Sequence, residues 1–233
     1  MAGKTRITDR GAKMKQELLR IIRLLLPSLG QTIYMVAVST LLSVIMGLPL
    51  GILLVITEKG SIWDKPQLNN ILGTVINILR SVPFLILMII VFPLSRFIVG
   101  TTIGTTATMI PLALAATPFV ARVIESSLKE VDWGSVEASI SMGATPFQVI
   151  TRVLIPESMP SLIQGMTLTI INIIGYSAMA GALGGGGLGD LAIRYGTQRY
   201  DTHVLIATVA VLIIIVQAIQ YSGNYLANKI NRR

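Results

Sequence analysis

Of 233 residues, 52% are hydrophobic and only 13% charged, about half the charge of an ordinary globular domain, which argues against a water-soluble fold. The chain has no cysteine, so neither a disulfide framework nor a thiol-ligated metal site is available. Its net charge of +8 does not point to nucleic acid, because the basic residues flank apolar runs, where lipid headgroups and topology account for them.

Residues 1–27 read as a basic amphipathic arm. Lys13, Gln16, Arg20 and Arg23 recur at helical spacing, while Leu18, Leu19, Ile21, Ile22 and Leu24 to Leu26 fill the other faces. Two readings stand: a helix lying on an anionic bilayer surface, where each basic residue contributes about 1 kcal/mol, or a longer, solvated end of the first span. Gly3-Lys4-Thr5 lacks the upstream glycine-rich loop of a phosphate cradle, so no ATP site is expected in this chain.

Five apolar stretches follow within residues 28–228: Leu29 to Ile56, Ile71 to Val99, Gly104 to Ala121, Ser161 to Leu183 and His203 to Asn228. Charge-free runs from Leu24 to Thr57, Phe97 to Ala121 and Ser158 to Gly189 each exceed the roughly 20 residues that cross the hydrocarbon core. Helix is expected throughout. Barrel strands would alternate apolar and polar positions, whereas Leu205 to Val216 is apolar nearly all round, and backbone groups in lipid must pair within their own segment. The expected fold class is therefore all-α, a polytopic membrane protein of five transmembrane helices. Gly47, Pro49 and Gly51 predict a tilt or bend late in the first span. Arg80, Pro83 and Pro93 mark the second as a candidate broken helix.

The longest polar segment, residues 122–160, separates the third and fourth spans and is expected to form two short helices. Gly143 suits the positive φ that ends one helix. Thr145 as N-cap, Pro146 at the first helical position and Gln148 make a capping box that begins the next. A basic tail, residues 229–233, ends the chain.

An odd number of spans puts the termini on opposite faces. The C-terminal face holds Lys59, Lys65, Arg122, Lys129, Arg152, Lys229, Arg232 and Arg233; the other holds Arg96, Arg194, Arg199 and the arm. Without the arm, the positive-inside tendency makes the C-terminal face cytoplasmic; with it, the opposite orientation edges ahead. Charge alone leaves orientation open.

Glu137-Ala138-Ser139, then Gly143, then Val153, Ile155 and Pro156 resemble the EAA loop of ABC importer permeases in every interval, with Ser139 for the second alanine, Val153 for isoleucine and Ile155 for leucine. Ala144, Thr145 and Pro146 belong to the same stretch. Arg80-Ser-Val-Pro-Phe84, Gly175-Tyr-Ser-Ala-Met179 and Gly186-Gly-Leu-Gly189 carry the resemblance, from about Pro27 onward, to the methionine importer permeases within that family. The resemblance implies the type I importer fold, a permease rather than an enzyme, and a loop that docks on a cytoplasmic ATPase. It also implies a homodimer in the bacterial inner membrane beside two ATPase subunits, which hold the ATP and Mg, and an extracytoplasmic methionine-binding protein. This chain would hold no cofactor and bind no nucleic acid. A cytoplasmic loop places the C-terminus inside and the N-terminus outside.

Other positions keep two readings each. Arg80, drawn well inside a span, either lines the pathway and attracts a carboxylate, or has an internal ion pair or lies nearer a chain end, since arginine at bilayer depth costs at least ~3 kcal/mol. Pro83, Tyr176, Ser177 and Met179 are candidate pathway or gate residues, with ordinary packing as the alternative for the flexible Met179. Gly184 to Gly189 formally fits a dinucleotide fingerprint, but it follows an apolar helix rather than a strand and reads as a tight re-entrant turn. His203 and Asn172 read as packing or interfacial hydrogen-bonders. A permease for another small amino acid, a membrane scaffold and a membrane enzyme are the competing functions.

Overall fold

The computed structural model describes the backbone of residues 2–231 and the side chains of residues 14–231, so Arg232 and Arg233 of the basic tail, and the side chain of Lys13, lie outside the described residues. The described residues form nine α-helices and no strand: α1 (Ala2–Ile56), α2 (Pro66–Ser81), α3 (Phe84–Val99), α4 (Thr105–Lys129), α5 (Trp133–Ser141), α6 (Pro146–Val149), α7 (Ile155–Gly181), α8 (Gly187–Ile193) and α9 (Thr202–Ile230). Two π-helical turns, Ile150–Leu154 and Arg194–Gln198, join α6 to α7 and extend α8.

Arm and first span are one helix. α1 runs unbroken through Pro27 and Pro49, and on its outer part Ile21, Leu24 and Leu25 pack against Leu191, Tyr195 and Val204. No break follows Gly47 and Gly51 either; these glycines let α4 approach. A Cβ on Gly47 would lie 2.7 Å from Val120 Cγ1, and one on Gly51 would lie 2.7 Å from the Ala121 carbonyl oxygen. In lipid, such close backbone contact replaces much of the hydrophobic drive that holds helices together in water.

α4 is the central helix, touching α1, α2, α3 and α7. It does not stop at Ala121 as the hydropathy suggested. Val120, Ile124 and Leu128 continue one buried face and join Val55, Val131, Val136, Val149 and Leu154 in the largest core cluster. Burial of that stripe keeps the polar residues from Arg122 to Lys129 helical, so the connecting segment is two turns shorter than its polarity implied.

The second apolar stretch is two helices, α2 and α3, meeting at 104°. Pro83 forces the break: it restricts the preceding residue to extended backbone, and Val82 has φ −78° and ψ 123°. Among the described residues, four helical segments are long and apolar enough to cross a membrane, five if the bent pair counts as one span.

Hydroxyls buried in this apolar interior return to their own helices. Thr117 donates to Ala113 O at 2.7 Å, Thr208 to Val204 O at 2.7 Å and Thr169 to Gly165 O at 2.9 Å, as a medium without water requires. Ser39 instead donates to Met109 O at 3.3 Å and ties α1 to α4. Between α7 and α8, Gly184, Gly186 and Gly187 all have positive φ. The Gly187 N–H donates to Gln31 Oε1 at 2.9 Å, and that of Leu188 to Thr32 Oγ1 at 2.8 Å. The glycine run is thus a tight turn seated on α1.

Candidate functional site

Two regions gather the residues singled out by sequence. The first is the α5–α6 turn. Thr145 caps α6 as expected: its Oγ1 accepts from Gln148 N at 3.4 Å, and the Gln148 side chain accepts from Thr145 N at 2.8 Å. Gly143 has φ 85° and donates to Ile140 O at 2.9 Å, while Ala144 donates to Ser139 O at 3.1 Å. Ser139 spends its hydroxyl on Ser135 O at 2.8 Å. The second short helix of the sequence reading is not separate, however. α6 passes through the π-helical turn into α7, giving one helical segment from Pro146 to Gly181. The box thus caps the fourth span itself.

The turn has two faces. Val136, Val149 and Leu154 are buried, with Ala144, Val153 and Ile155 packed against their cluster. Glu137, Ala138, Gly143 and Pro156 are exposed on the other side. With them stand Met142, 81% exposed, and Phe147, 74% exposed. Large apolar side chains held outward on a capped, well-packed turn mark a surface made to be covered by another protein. The sequence reading missed Met142 and Phe147, although their place on either side of Gly143 and Thr145 was the available signal.

Behind the turn, charges link three helices. Arg122 donates to Glu125 Oε2 at 2.6 Å, to Gly73 O at 3.1 Å and to Asn77 Oδ1 at 2.9 Å. Lys129 bridges Glu125 at 3.1 Å and Glu58 at 2.9 Å. The end of α1, the middle of α2 and the end of α4 are thereby tied at the face that carries α5. The chain's end is on that face too, since Ile230 lines a cavity of about 510 Å3 with Glu130, Ser135 and Glu157.

The second region lies at the α2–α3 break. Arg80 and Tyr176 line one cavity of about 270 Å3 with Phe84, Phe119 and Leu87. Among the described residues Arg80 has no carboxylate partner; its guanidinium carbon stands 6.0 Å from the Phe119 ring centroid, a cation–π arrangement. It belongs to the last turn of α2, beside the α2–α3 break. Pro83 caps α3, which puts Phe84 against Tyr176 with ring centroids 4.7 Å apart and planes 9° apart. Ser177 is buried and donates to Ile174 O at 2.7 Å. Met179 is 50% exposed.

Met179 ends a stripe. Gln164, Leu168, Asn172, Gly175 and Met179 recur at helical spacing and are all exposed along α7. A Cβ on Gly175 would meet nothing within 4 Å. Amide side chains facing hydrocarbon are costly, so this face belongs against water or another protein. The sequence analysis weighs Asn172 alone and does not consider Gln164, two four-residue intervals before it.

Comparison with known proteins gives the lineage. Residues 47–233 match the family described as binding-protein-dependent transport system inner membrane component. The chain is 50% identical over 210 residues, 90% of its length and 93% of the relative's, to a probable D-methionine transport system permease protein MetI of Vibrio cholerae. It is 45% identical over 181 residues, 78% of its length and 82% of the relative's, to the methionine import system permease protein MetP of Bacillus subtilis. Among solved structures, an inward-facing conformation of the MetNI methionine ABC transporter superposes with a TM-score of 0.90 at 40% identity, covering 91% of this chain and 99% of that one. An amino acid ABC transporter shares the fold at 18% identity, with a TM-score of 0.75 over 92% of this chain and 97% of that one. The chain belongs to the binding-protein-dependent transport system inner membrane components.

Proposed function

We propose that this chain is the permease subunit of an ATP-driven methionine importer, working as a homodimer beside two cytoplasmic ABC ATPase subunits and an extracytoplasmic methionine-binding protein. ATP and Mg belong to the ATPase, and this chain supplies the path. The observation that carries the reading is the continuity of the capped turn at Thr145 with the helix bearing Gln164, Asn172 and Met179. A partner gripping the exposed Glu137, Met142 and Phe147 moves that helix directly. The relatives' methionine-transport names support the cargo.

In this reading the exposed stripe of α7 faces the second copy or the water-filled path. The Arg80–Tyr176 cavity offers a cation for a carboxylate and aromatic faces for an apolar tail. Met179 lies one turn further along α7 and gates the path by excluding water.

Proteoliposomes holding this chain, its ATPase and its binding protein are expected to take up labelled methionine only with ATP, and only methionine analogues should compete. Competition by a different amino acid would replace the cargo, and no uptake by a verified assembly would end the transport reading. Arg80→Ala should lower uptake at least several-fold with assembly unchanged; equal uptake would remove Arg80 from the path.

Docking on a cytoplasmic ATPase puts the α5 turn and C-terminus inside and the N-terminus outside. Because the chain has no cysteine, Thr5→Cys gives a single thiol. Its labelling by an impermeant maleimide in intact spheroplasts is expected; labelling only after permeabilisation would reverse the orientation.

A further inference from the structure

The transport reading leaves the outer part of α1 unused, and two of its faces carry chemistry. On one, Arg20, Arg23 and Arg199 line a cavity of about 450 Å3 with Gln16, Leu19 and Tyr195. The walls are fixed. Ile21, Leu24 and Leu25 pack α1 onto Leu191, Tyr195 and Val204, and Arg20 is held by Asp201 at 2.9 Å. The Arg199 guanidinium stands 4.8 Å from the Tyr195 ring centroid and donates to its hydroxyl at 3.2 Å. Asp201 answers one of the three positive charges, and it also accepts from Val204 N at 3.3 Å to cap α9. Among the described residues, Arg23 and Arg199 have no carboxylate partner.

On a different face of α1, Met14, Leu18, Ile22 and Leu26 repeat at four-residue intervals, and all are exposed. The level of the corner is set by α9, whose membrane-crossing helix begins at Thr202, beside the Arg20–Asp201 pair. Cationic donors therefore stand where a span leaves the hydrocarbon, with an exposed apolar strip at the same level on another face of α1. Guanidinium forks suit phosphate oxygens, and an apolar strip at the same level suits acyl chains. A soluble anion would use the first and have no use for the second.

We propose that this corner binds the phosphate of an anionic phospholipid in the leaflet opposite the α5 turn. Arg23 and Arg199 supply the unpaired charge, Gln16 a neutral donor, and Leu19, half-exposed on the cavity wall, the contact for an acyl chain. The charges of Arg23 and Arg199 are then matched by lipid, while that of Arg20 is matched by Asp201.

The test is a titration of the purified full-length chain, in neutral detergent, with dioleoylphosphatidylglycerol, reading the thermal midpoint. Dioleoylphosphatidylcholine and inorganic phosphate are the comparisons. Phosphatidylglycerol is expected to raise the midpoint and phosphatidylcholine to leave it unchanged. Arg23→Gln should raise the half-saturating lipid concentration roughly fivefold, the effect of one basic residue at an anionic surface. The pair Arg23→Gln with Arg199→Gln should raise it further. Arg23 makes no hydrogen bond or ion pair among the described residues, so the single variant remains readable if the double variant misfolds. An equal midpoint rise with inorganic phosphate would overturn the lipid source and assign the corner to free phosphate. A phosphatidylglycerol response that is absent, or unchanged in Arg23→Gln, would overturn the proposal.

Discussion

Gly143→Pro is expected to abolish ATP-dependent uptake while leaving membrane insertion and the amount of folded protein close to normal. Gly143 sits at φ 85°, and proline is locked near −65°, so the turn cannot close as it does. The substitution also removes the N–H that bonds to Ile140 O. The local cost is of order 1–3 kcal/mol, and it falls outside the buried cluster, because a side chain at this position would meet nothing within 4 Å. The damage therefore lies in the relative setting of α5 and α6, which determines where Glu137, Met142 and Phe147 stand. Uptake and ATPase activity measured together provide the check: hydrolysis without import, or loss of ATPase association, agrees with a docking role. Intact uptake would remove that role from the turn.

Arg122→Ala is expected to lower the stability of the chain by about 1–3 kcal/mol, the cost of leaving hydrogen-bonded partners of a largely buried charge without it. Three contacts disappear at once, to Glu125, the Gly73 carbonyl and Asn77. Lys129 still faces Glu125, which keeps the loss below that of a fully orphaned buried carboxylate. Arg122→Lys should recover only part, since an ammonium cannot reproduce the fork that reaches α2 and Glu125 together. Thermal unfolding in detergent measures both variants, and an unchanged midpoint in Arg122→Ala would mean that the network ties nothing.

Local chemistry was the legible part of the sequence. The Thr145–Gln148 box, the positive φ of Gly143 and the proline break before Phe84 depend on residues adjacent in the chain, and each was readable. Where α4 ends was not, because the helicity of its polar last turns comes from Val120, Ile124 and Leu128 packing against Val55 and Leu154, residues far apart in sequence. The same applies to the cavity at Arg80. Pro83 announces a break but not a 104° angle, and only that angle brings Phe84 onto Tyr176 and leaves Arg80 over Phe119. The arm could be read two ways from its own pattern because its partners, Asp201, Tyr195 and Val204, lie at the other end of the chain.

The segment from Pro146 to Gly181 is 36 residues long, roughly 54 Å at helical rise, well beyond the ~30 Å of a hydrocarbon core, so in the proposed docking role it would serve as a lever with its handle at Pro146. If it pivots near its midpoint, a rotation of about 5° carries each end some 2 Å in opposite directions. That displacement is comparable to the helix shifts that switch other proteins between states. In the proposed docking role, a small push at Phe147 would reach Met179, near the other end of the segment, without any relay of side chains. The soft part of the segment is its stretch next to the handle, where the wide π-helical turn at Ile150–Leu154 is followed by Pro156 and Pro160, each without a backbone donor.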